Sequence, residues 1–408
     1  MDFNDTPEQA EFRAEARAWL AANAPRFENS RSRGISGAAS ADDVARAKEW
    51  QALKAEAGWA GLHWPEAYGG RSLSRLHVVI YGQEESRYAV PSAFFVIGLN
   101  FCGPTMMEYA TEEDKRRYLP KLLSGEEIWC QLFSEPVAGS DLAGLRTRAD
   151  RDGDDWVING QKIWNTYAHL ADYGIMVTRH DPTLPKHKGL TYFFLDMHSA
   201  GVEPRPIKQI AGTSNFNEVF FTNVRIPDNQ RLGEIGEGWS VALTTLMNER
   251  LGAASAALPP DVAHVLDLSR RVEIDGEPAL QNAAVRQRLA DWYIESKGLE
   301  LVGARMVTAL AQGATPGPEA SIRKVVTASK TQSIASFGID LQEMAGVLLD
   351  DAPDDALFQD AFLQSPGSRI AGGSDEILRN IIAERVLQLP GDIRVDRDVA
   401  FKDIPVNS

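Results

Sequence analysis

Apolar residues recur at helical spacing through the first 125 residues of the chain. Phe12 and Leu20 fall on one face of the first predicted helix. Thr6 precedes Pro7, so a capping hydroxyl is followed by proline in the first turn, which is typical of a helix start. A later helical group is expected to close near Pro120. This part of the chain is therefore predicted to be a helical domain.

The pattern changes near Ile128, where short β-branched and aromatic runs alternate with turns. Asn159-Gly160 lies between two such runs and accepts the positive φ angles of a type I′ turn, which predicts a β-hairpin. Further strands are expected over residues 173–178, 190–195 and 218–224. These segments predict a small antiparallel sheet domain that ends near Pro227.

Helical periodicity returns after Gly238 and continues to Leu389. Four amphipathic segments of this length favour an antiparallel bundle. The predicted helices cover residues 239–271, 280–312, 319–344 and 375–389. The fold class is therefore α+β, with an N-terminal α-helical domain at 1–126, a middle β domain at 127–232, a C-terminal four-helix bundle at 233–395 and a tail at 396–408.

Composition narrows the class of protein. The chain has 408 residues, of which 44% are hydrophobic and 24% charged, as in an ordinary globular protein. Its net charge of -15 argues against nucleic acid as a partner, because phosphate binding needs clustered Lys and Arg. Cys102 and Cys130 stand far apart, so a reducing, cytoplasmic location is expected rather than a disulfide scaffold.

Targeting and membrane signals are weak in this sequence. The acidic amino terminus lacks the basic start and apolar run of a secretory signal. No uninterrupted apolar stretch reaches the roughly 20 residues that a membrane-spanning helix needs. The sequence therefore predicts no membrane span.

Common catalytic signatures are missing. The sequence contains no His-Glu-x-x-His, Cys-x-x-Cys, Gly-x-Ser-x-Gly or Walker motif, so no metal site is expected. Gly233, Gly236 and Gly238 have the wrong spacing for a dinucleotide fingerprint and are interpreted as a turn that enters the bundle.

Two short segments could carry ligand chemistry. Residues 134–141, Ser-Glu-Pro-Val-Ala-Gly-Ser-Asp, would let the backbone approach an anion, although an ordinary loop explains them equally well. In residues 162–166, Trp164 and Thr166 could offer an aromatic plane and a hydrogen bond to a flat heteroaromatic ring. Taken alone, Trp164 would be interpreted as a core residue.

Together, these two segments resemble the flavin-binding part of the acyl-CoA dehydrogenase family. The turns at Gly58-Trp59 and at residues 64–70, and Gly372-Gly373-Ser374 before a final helix, agree with that resemblance. The resemblance covers nearly the whole chain in the same order. It implies an α, β, α three-domain fold and FAD as the cofactor.

The resemblance also implies roles for individual residues around FAD. It places Gln131, Phe133 and Ser134 at the flavin pyrimidine edge, Trp164 and Thr166 against the flavin ring, and Ser140 near the phosphates of FAD or of the acyl-CoA. It further implies FAD contacts from Gln342 and Gly346 of a neighbouring subunit, and from Ser374 and Glu376. Either Arg270 or Arg271 could contact the FAD pyrophosphate.

The catalytic base departs from the commonest form of the family. Many members carry it in a Tyr-Glu-Gly-Thr stretch, where this chain has residues 371–374, Ala-Gly-Gly-Ser. A second branch places a Glu before an Arg on the first bundle helix, as in Glu249-Arg250. The resemblance therefore implies Glu249 as base, Arg250 and Gly373 as substrate contacts, and the Gly372 backbone N–H as an oxyanion donor.

The spacing of residues around Glu249 suggests how its helix is oriented. Glu249 shares a helix face with Ala242, Thr245, Leu246, Ala253 and Ala256, about opposite Met247 and Leu251. A Glu among such residues is expected on a wall that faces a ligand. A solvent-exposed helix glutamate is the alternative interpretation.

The resemblance implies dehydrogenation of an acyl-CoA to its trans-2-enoyl-CoA, with an electron-transfer flavoprotein as acceptor and a homotetramer as the assembly. Small residues at Ala371 and Gly372 suggest a branched, cyclic or bulky acyl group. Two alternatives are an acyl-CoA oxidase and a non-catalytic FAD-binding subunit of a mixed oligomer, because fold alone does not fix the reaction.

Overall fold

A computed structural model describes most of the chain, and the fold is given for those residues. They are residues 5–27, 39–252, 260–311, 317–318, 320–349, 356–393 and 395–405. Within them, the side chains of residues 249–252, 307, 310 and 311 lie outside the description.

The N-terminal domain is helical, as predicted. Thr6 caps the first helix, because its hydroxyl accepts the Gln9 backbone N–H and its own N–H donates to the Gln9 side chain. Phe12 and Leu20 on the predicted face are buried. The helices are α1 (Pro7–Asn23), α2 (Ala41–Glu56), α3 (Arg75–Glu85), α4 (Gly103–Tyr109) and α5 (Glu112–Ser124).

Helix α5 does not close at Pro120, so that prediction is wrong. The helix continues to Ser124 although Pro120 removes one backbone N–H from its interior. Leu119 and Leu122 lie on either side of the proline and are almost fully buried. Burying a leucine side chain is worth about 1.5–3 kcal/mol, so two of them offset the loss caused by the proline.

The middle domain contains a seven-stranded sheet, which confirms the predicted β domain. The strands are β1 (Trp129–Leu132), β2 (Arg148–Asp152), β3 (Asp155–Lys162), β4 (Tyr173–Arg179), β5 (Leu190–Asp196), β6 (Val202–Ile207) and β7 (Phe216–Pro227). Their order in the sheet is β1-β4-β2-β3-β7-β6, with β5 paired to β4. Most pairs are antiparallel, whereas β1 and β2 each run parallel to β4.

The predicted turn at Asn159-Gly160 is wrong, because both residues lie inside β3. The strand pairs with β7 on both sides of this point, with a register shift between Ile158 and Gly160. A Cβ at Gly160 would lie 2.6 Å from Thr147 Oγ1, so glycine is needed for close approach of another chain segment. The hairpin turn is instead at Gly153, between β2 and β3.

The C-terminal domain is a helical bundle, as predicted, but its helices are divided differently. The helices are α6 (Gly238–Gly252), α7 (Val262–Arg271), α8 (Ala283–Ala311), α9 (Ala320–Leu341), α10 (Leu357–Ser368) and α11 (Asp375–Ile381). The predicted helix over 239–271 is therefore two helices, α6 and α7, and α10 was not predicted. Helix α9 packs against α7, α8, α10 and α11. A short pair, β8 (Glu273–Ile274) and β9 (Glu277–Pro278), follows α7.

Across the described helices, we find none with both the length and the apolar character needed to cross a lipid bilayer.

Helix α6 joins the three parts of the molecule. Met106 of α4, Tyr192 of β5 and Ala242 of α6 belong to one buried apolar cluster. The helix is therefore fixed against both the N-terminal domain and the sheet.

Candidate active site

The ends of β1 and β3 bring two predicted site segments side by side. The Ile163 backbone N–H donates to the Ser134 carbonyl at 2.9 Å. The Asn165 side-chain amide donates to the Gln131 carbonyl at 2.8 Å. Gln131, Phe133 and Ser134 therefore lie on one edge with Trp164 and Thr166, which are 30 residues or more away in sequence.

Trp164 has an exposed side chain on a constrained backbone. Its φ is 61°, an uncommon value for a residue other than glycine, and 54% of the residue is exposed. The flanking residues are fixed, since the Asn165 N–H donates to the Asn217 carbonyl and the Tyr167 N–H to the Asn215 carbonyl. A strained residue in such surroundings points to a functional constraint, and an open indole suits a planar ligand.

A buried ion pair supports this edge, and the sequence did not indicate it. The Lys162 ammonium donates to Glu135 Oε1 and to the Phe133 carbonyl, both at 2.9 Å. Glu135 also accepts the Arg146 N–H at 2.6 Å and the Thr147 N–H at 2.9 Å. The Glu135 carboxylate therefore accepts hydrogen bonds from three donors and connects the ends of β1 and β3.

The pKa values of this pair shift in the same downward direction for different reasons. Burial opposes ionisation of Glu135, but the Lys162 charge and the hydrogen bonds hold the pKa of that carboxyl below its usual value. Burial outweighs the attraction of Glu135 and lowers the pKa of Lys162. The four close contacts favour the ionised pair near neutral pH, because a buried carboxylate with this many donors is strongly stabilised.

The loop at residues 134–141 is held at both ends, and Ser140 is exposed. Glu135 and Ala138 exchange two backbone hydrogen bonds of 3.0 Å. Asp141 pairs with Lys186 at 3.0 Å, and Lys186 also reaches Asp396 of the C-terminal tail at 2.6 Å. The exposed serine thus lies on a loop whose position is fixed by the sheet and by the tail.

The turn before α11 carries Gly372 and Gly373, to which the sequence resemblance gave roles at the substrate. Gly372 has a φ of 65°, which side-chain-bearing residues rarely adopt. The Gly373 carbonyl accepts the Lys324 ammonium at 2.7 Å, and the Ser374 hydroxyl caps α11 by accepting the Ile377 N–H. Glu376 is exposed. The turn is therefore anchored to α9 by Lys324.

Asp375 is a second buried acid that the sequence did not single out. Its carboxylate accepts Arg369 Nε at 2.7 Å and lies 3.7 Å from the Lys324 ammonium. These contacts hold the turn in place at the first residue of α11. Nothing in the local sequence distinguishes it from the exposed Glu376.

Gln342 and Gly346 lie at the end of α9, in the bundle. The Gln342 side chain is buried and accepts a hydrogen bond from Gln359 at 3.0 Å, whereas its own amide nitrogen has no hydrogen-bond partner among the described residues. A Cβ at Gly346 would lie 2.5 Å from the Ile339 carbonyl oxygen. Met344, between them, is 80% exposed.

Glu249 and Arg250 lie in the last turn of α6, and their side chains are outside the described part of the structure. Ala253 and Ala256 of the predicted face lie outside the described residues. The expected ligand-facing wall is wrong for Ala242 and Thr245, which are fully buried against the other two domains. Met247, on the other side of the helix, is exposed. The small residues on the Glu249 face therefore serve packing in the first part of the helix.

The two arginines considered for the pyrophosphate end α7. Arg270 and Arg271 are both exposed, and Arg271 pairs with Asp267 at 3.3 Å.

The chain matches family descriptions over nearly its whole length. Residues 6–126 match "Acyl-CoA dehydrogenase, N-terminal domain", residues 130–224 match the middle domain, and residues 236–387 match the C-terminal domain. Acyl-CoA dehydrogenase IpdE1 of Mycobacterium tuberculosis is 35% identical over 392 residues, which are 94% of this chain and 98% of that protein. Acyl-CoA dehydrogenase FadE34 of the same organism is 38% identical over 83% of this chain, which spans only about half (46%) of that longer protein.

Solved structures agree with this relationship. The "Tcur3481-Tcur3483 steroid ACAD" is 30% identical, with a TM-score of 0.81, over 96% of this chain and 100% of that chain. The ChsE4-ChsE5 complex from Mycobacterium tuberculosis is 27% identical with the same TM-score and the same coverage of both chains. The chain therefore belongs to the family of FAD-dependent acyl-CoA dehydrogenases.

Proposed function

We propose that this chain oxidises an acyl-CoA thioester to the trans-2-enoyl-CoA, with Glu249 as the base. The observation that carries the proposal is the edge formed by β1 and β3, where exposed Trp164 is fixed beside Thr166 and Ser134. Such an edge suits the flat ring of the family's cofactor.

The described residues fit FAD in two respects. Trp164 offers an exposed aromatic plane, and Thr166 beside it offers a hydroxyl to one edge of a ring. Within the part of the chain that the structure describes, the buried Gln342 amide nitrogen lacks a hydrogen-bond partner, as expected of a group that binds across a subunit boundary. We assign Gln131, Phe133, Ser134, Trp164 and Thr166 to the flavin.

The reaction removes a proton and a hydride from adjacent carbons. Glu249 would take the proton from the carbon next to the thioester carbonyl, which leaves its electron pair to form the new double bond. Bound FAD supplies the acceptor for the hydride that leaves the β-carbon, at flavin N5. The Gly372 backbone N–H would donate to the carbonyl oxygen as negative charge develops there.

Two other acids compete for the role of base. Glu135 is buried and occupied by Lys162 and two backbone N–H groups, so it is poorly placed to accept a substrate proton. Glu376 is exposed at the start of α11, where the family resemblance gives it a cofactor contact. This leaves Glu249 as the acid that best fits the base.

The test is Glu249→Gln, which keeps the size of the side chain and removes its ability to accept the proton. Flavin reduction by a good acyl-CoA is followed by stopped flow at equal FAD content, and the rate is expected to fall by about 10²- to 10⁴-fold. Glu300→Gln is the matched control, because Glu300 is an exposed helix residue paired with Lys297. Near-normal reduction by Glu249→Gln, or a comparable loss in Glu376→Gln alone, would contradict the assignment.

We also propose a bulky acyl group as the substrate. Ala371 and Gly372 leave space where many members of the family carry Tyr and Glu, and a similar structure bears the name "steroid ACAD". A panel of straight, branched and ring-bearing acyl-CoA thioesters tests this through kcat/KM. The highest value with a straight short chain would rule the proposal out.

The assembly has two candidate forms. The turn after α9 exposes Met344, Val347 and Leu349, which suits burial against another subunit, and we propose a tetramer. One similar structure is named as a complex of two proteins, which favours a mixed oligomer as the second candidate. Light scattering and FAD content of the chain purified alone distinguish them, since a homotetramer with one FAD per chain excludes an obligatory second subunit.

We propose an electron-transfer flavoprotein as the electron acceptor. Turnover with that protein, compared with hydrogen peroxide formation in air, tests the choice. Peroxide formed at the rate of substrate oxidation would indicate an oxidase instead.

A further inference from the structure

We propose that three buried hydroxyls, those of Thr105, Tyr192 and Thr245, position helix α6, which carries Glu249. They hold it relative to the flavin edge, which is the pair of β1 and β3 strand ends to which we assign the flavin. These residues come from α4, β5 and α6, one from each domain. The inference rests on the proposed function of Glu249. It makes Tyr192 and Thr245 positioning residues of the reaction.

The hydroxyl cluster is closed to solvent and well connected. Thr245 Oγ1 lies 2.9 Å from Thr105 Oγ1 and 3.0 Å from the Tyr192 hydroxyl. All three residues are fully buried. Thr105 Oγ1 also lies 2.8 Å from the Phe101 carbonyl. Thr245 Oγ1 also lies 3.1 Å from the Val241 carbonyl of its own helix. If Tyr192 donates to Thr245, Thr245 to Thr105 or Val241, and Thr105 to Phe101, every hydroxyl proton has an acceptor.

Tyr192 links this cluster to the flavin edge. Its ring packs edge-on against Phe133, with centroids 5.8 Å apart and planes at 86°. Phe133 follows β1, and its carbonyl accepts the Lys162 ammonium. Burial raises the pKa of Tyr192 well above its usual value, so the phenol stays protonated and can donate. The Tyr192 side chain therefore contacts both Phe133, which follows β1, and helix α6.

Thr245 precedes Glu249 by four residues, about one helical turn or 6 Å along the axis. A small rotation or slide of α6 at Thr245 would therefore move the Glu249 backbone by a similar amount. Proton transfer needs reacting atoms held near 3–3.5 Å, and a displacement of about 1 Å can lower a rate 10²-fold. The hydroxyl cluster is thus placed to set the distance between base and flavin.

A second hydroxyl pair on the same helix supplies a matched control. Tyr109 and Thr244 bond at 3.0 Å between α4 and α6 and are only partly buried. This pair connects α6 to the N-terminal domain but does not reach Phe133 at the end of β1. Tyr109→Phe and Thr244→Val remove it without touching Tyr192.

The experiment compares Thr245→Val, Thr245→Ser and Tyr192→Phe as FAD-loaded full-length enzymes. Single-turnover flavin reduction is measured with ordinary and α-deuterated acyl-CoA. Thr245→Val and Tyr192→Phe are expected to reduce flavin about 10- to 100-fold more slowly at saturating acyl-CoA. The acyl-CoA concentration that gives half of the maximal rate should be unchanged, and the kinetic isotope effect of α-deuteration on flavin reduction should increase. Thr245→Ser keeps the hydroxyl and is expected to restore the rate, and the two control variants are expected to stay near wild type.

The outcomes separate this inference from the base assignment. If Glu249→Gln loses flavin reduction but Thr245→Val and Tyr192→Phe reduce normally, the positioning role is wrong and Glu249 stands. If Glu249→Gln reduces normally, the base assignment itself is wrong. Should Thr245→Val fail to fold, Tyr192→Phe decides alone, because it keeps the ring against Phe133. A loss of stability with normal rate and isotope effect would also overturn the proposal.

Discussion

The buried pair of Glu135 and Lys162 offers a sharp test of what holds the flavin edge together. Glu135→Gln removes the negative charge but keeps the shape of the side chain. It leaves the Lys162 ammonium, which is fully buried, with the Phe133 carbonyl as its remaining strong partner. The new amide group also faces donors, because Arg146 and Thr147 both direct their N–H groups at this position.

The expected magnitude follows from these contacts. Removing one partner of a buried ion pair costs about 3–5 kcal/mol, and Glu135→Gln belongs in that range because it strands a buried cation. Lys162→Met should cost less, since methionine fills the space of the lysine stem and the carboxylate keeps two backbone N–H donors. The double variant should be less destabilised than the sum of the singles, by about 0.5–3 kcal/mol.

Urea unfolding of the wild type, both single variants and the double variant measures these free energies, and FAD content after gel filtration reports the state of the edge. We expect the singles to lose FAD more readily than the double. If the two single costs add in the double variant, within about 0.5 kcal/mol, the pair contributes no coupling and the reasoning is refuted. Equal FAD retention in all four proteins would separate the pair from the flavin edge.

Two further predictions concern packing and pH. Gly346→Ala should destabilise the protein by about 1–3 kcal/mol in thermal melting, because the new Cβ in the turn after α9 would lie 2.5 Å from the Ile339 carbonyl oxygen. Gly298→Ala is the control for this measurement, because its Cβ would meet no described atom within 4 Å, and it should be neutral or stabilising. Burial, with help from Arg75, lowers the pKa of His63 from 6.5 to about 4, so the folded protein should lose stability as the pH falls from 6.5 toward 4, where the unfolded chain binds the proton first. The stability difference between wild type and His63→Gln should change across that window, and a constant difference would contradict this.

The sequence correctly predicted those elements whose structure depends mainly on neighbouring residues. The capped start at Thr6 needs only the neighbouring Gln9, and it occurs as expected. The Asn159-Gly160 turn failed because β3 is held as one continuous strand by β7, which lies 60 residues further along the chain. A strong turn dipeptide was thus overruled by a long-range pairing that periodicity does not show.

The candidate site shows the same division. Trp164 and Ser134 could be proposed from the sequence because they lie in recognisable short motifs, and the fold brings those two motifs together. Lys162 was part of a motif but its partner Glu135 is 27 residues away, so the pair could not be predicted from spacing alone. Thr245 was placed on a ligand-facing wall because helical spacing gives a face but not what that face meets.

The two sides of the proposed reaction are held by different kinds of contact, and this has a consequence for how variants should behave. The proposed flavin edge is held within the sheet domain by a buried ion pair, and removing one partner of that pair leaves an uncompensated charge next to Phe133. Helix α6 is secured across three domains by neutral hydroxyls, whose loss leaves no buried charge. Changes at Glu135 or Lys162 should therefore appear first as loss of stability and FAD. Changes at Thr245 or Tyr192 should instead slow proton transfer in a protein that still holds its cofactor.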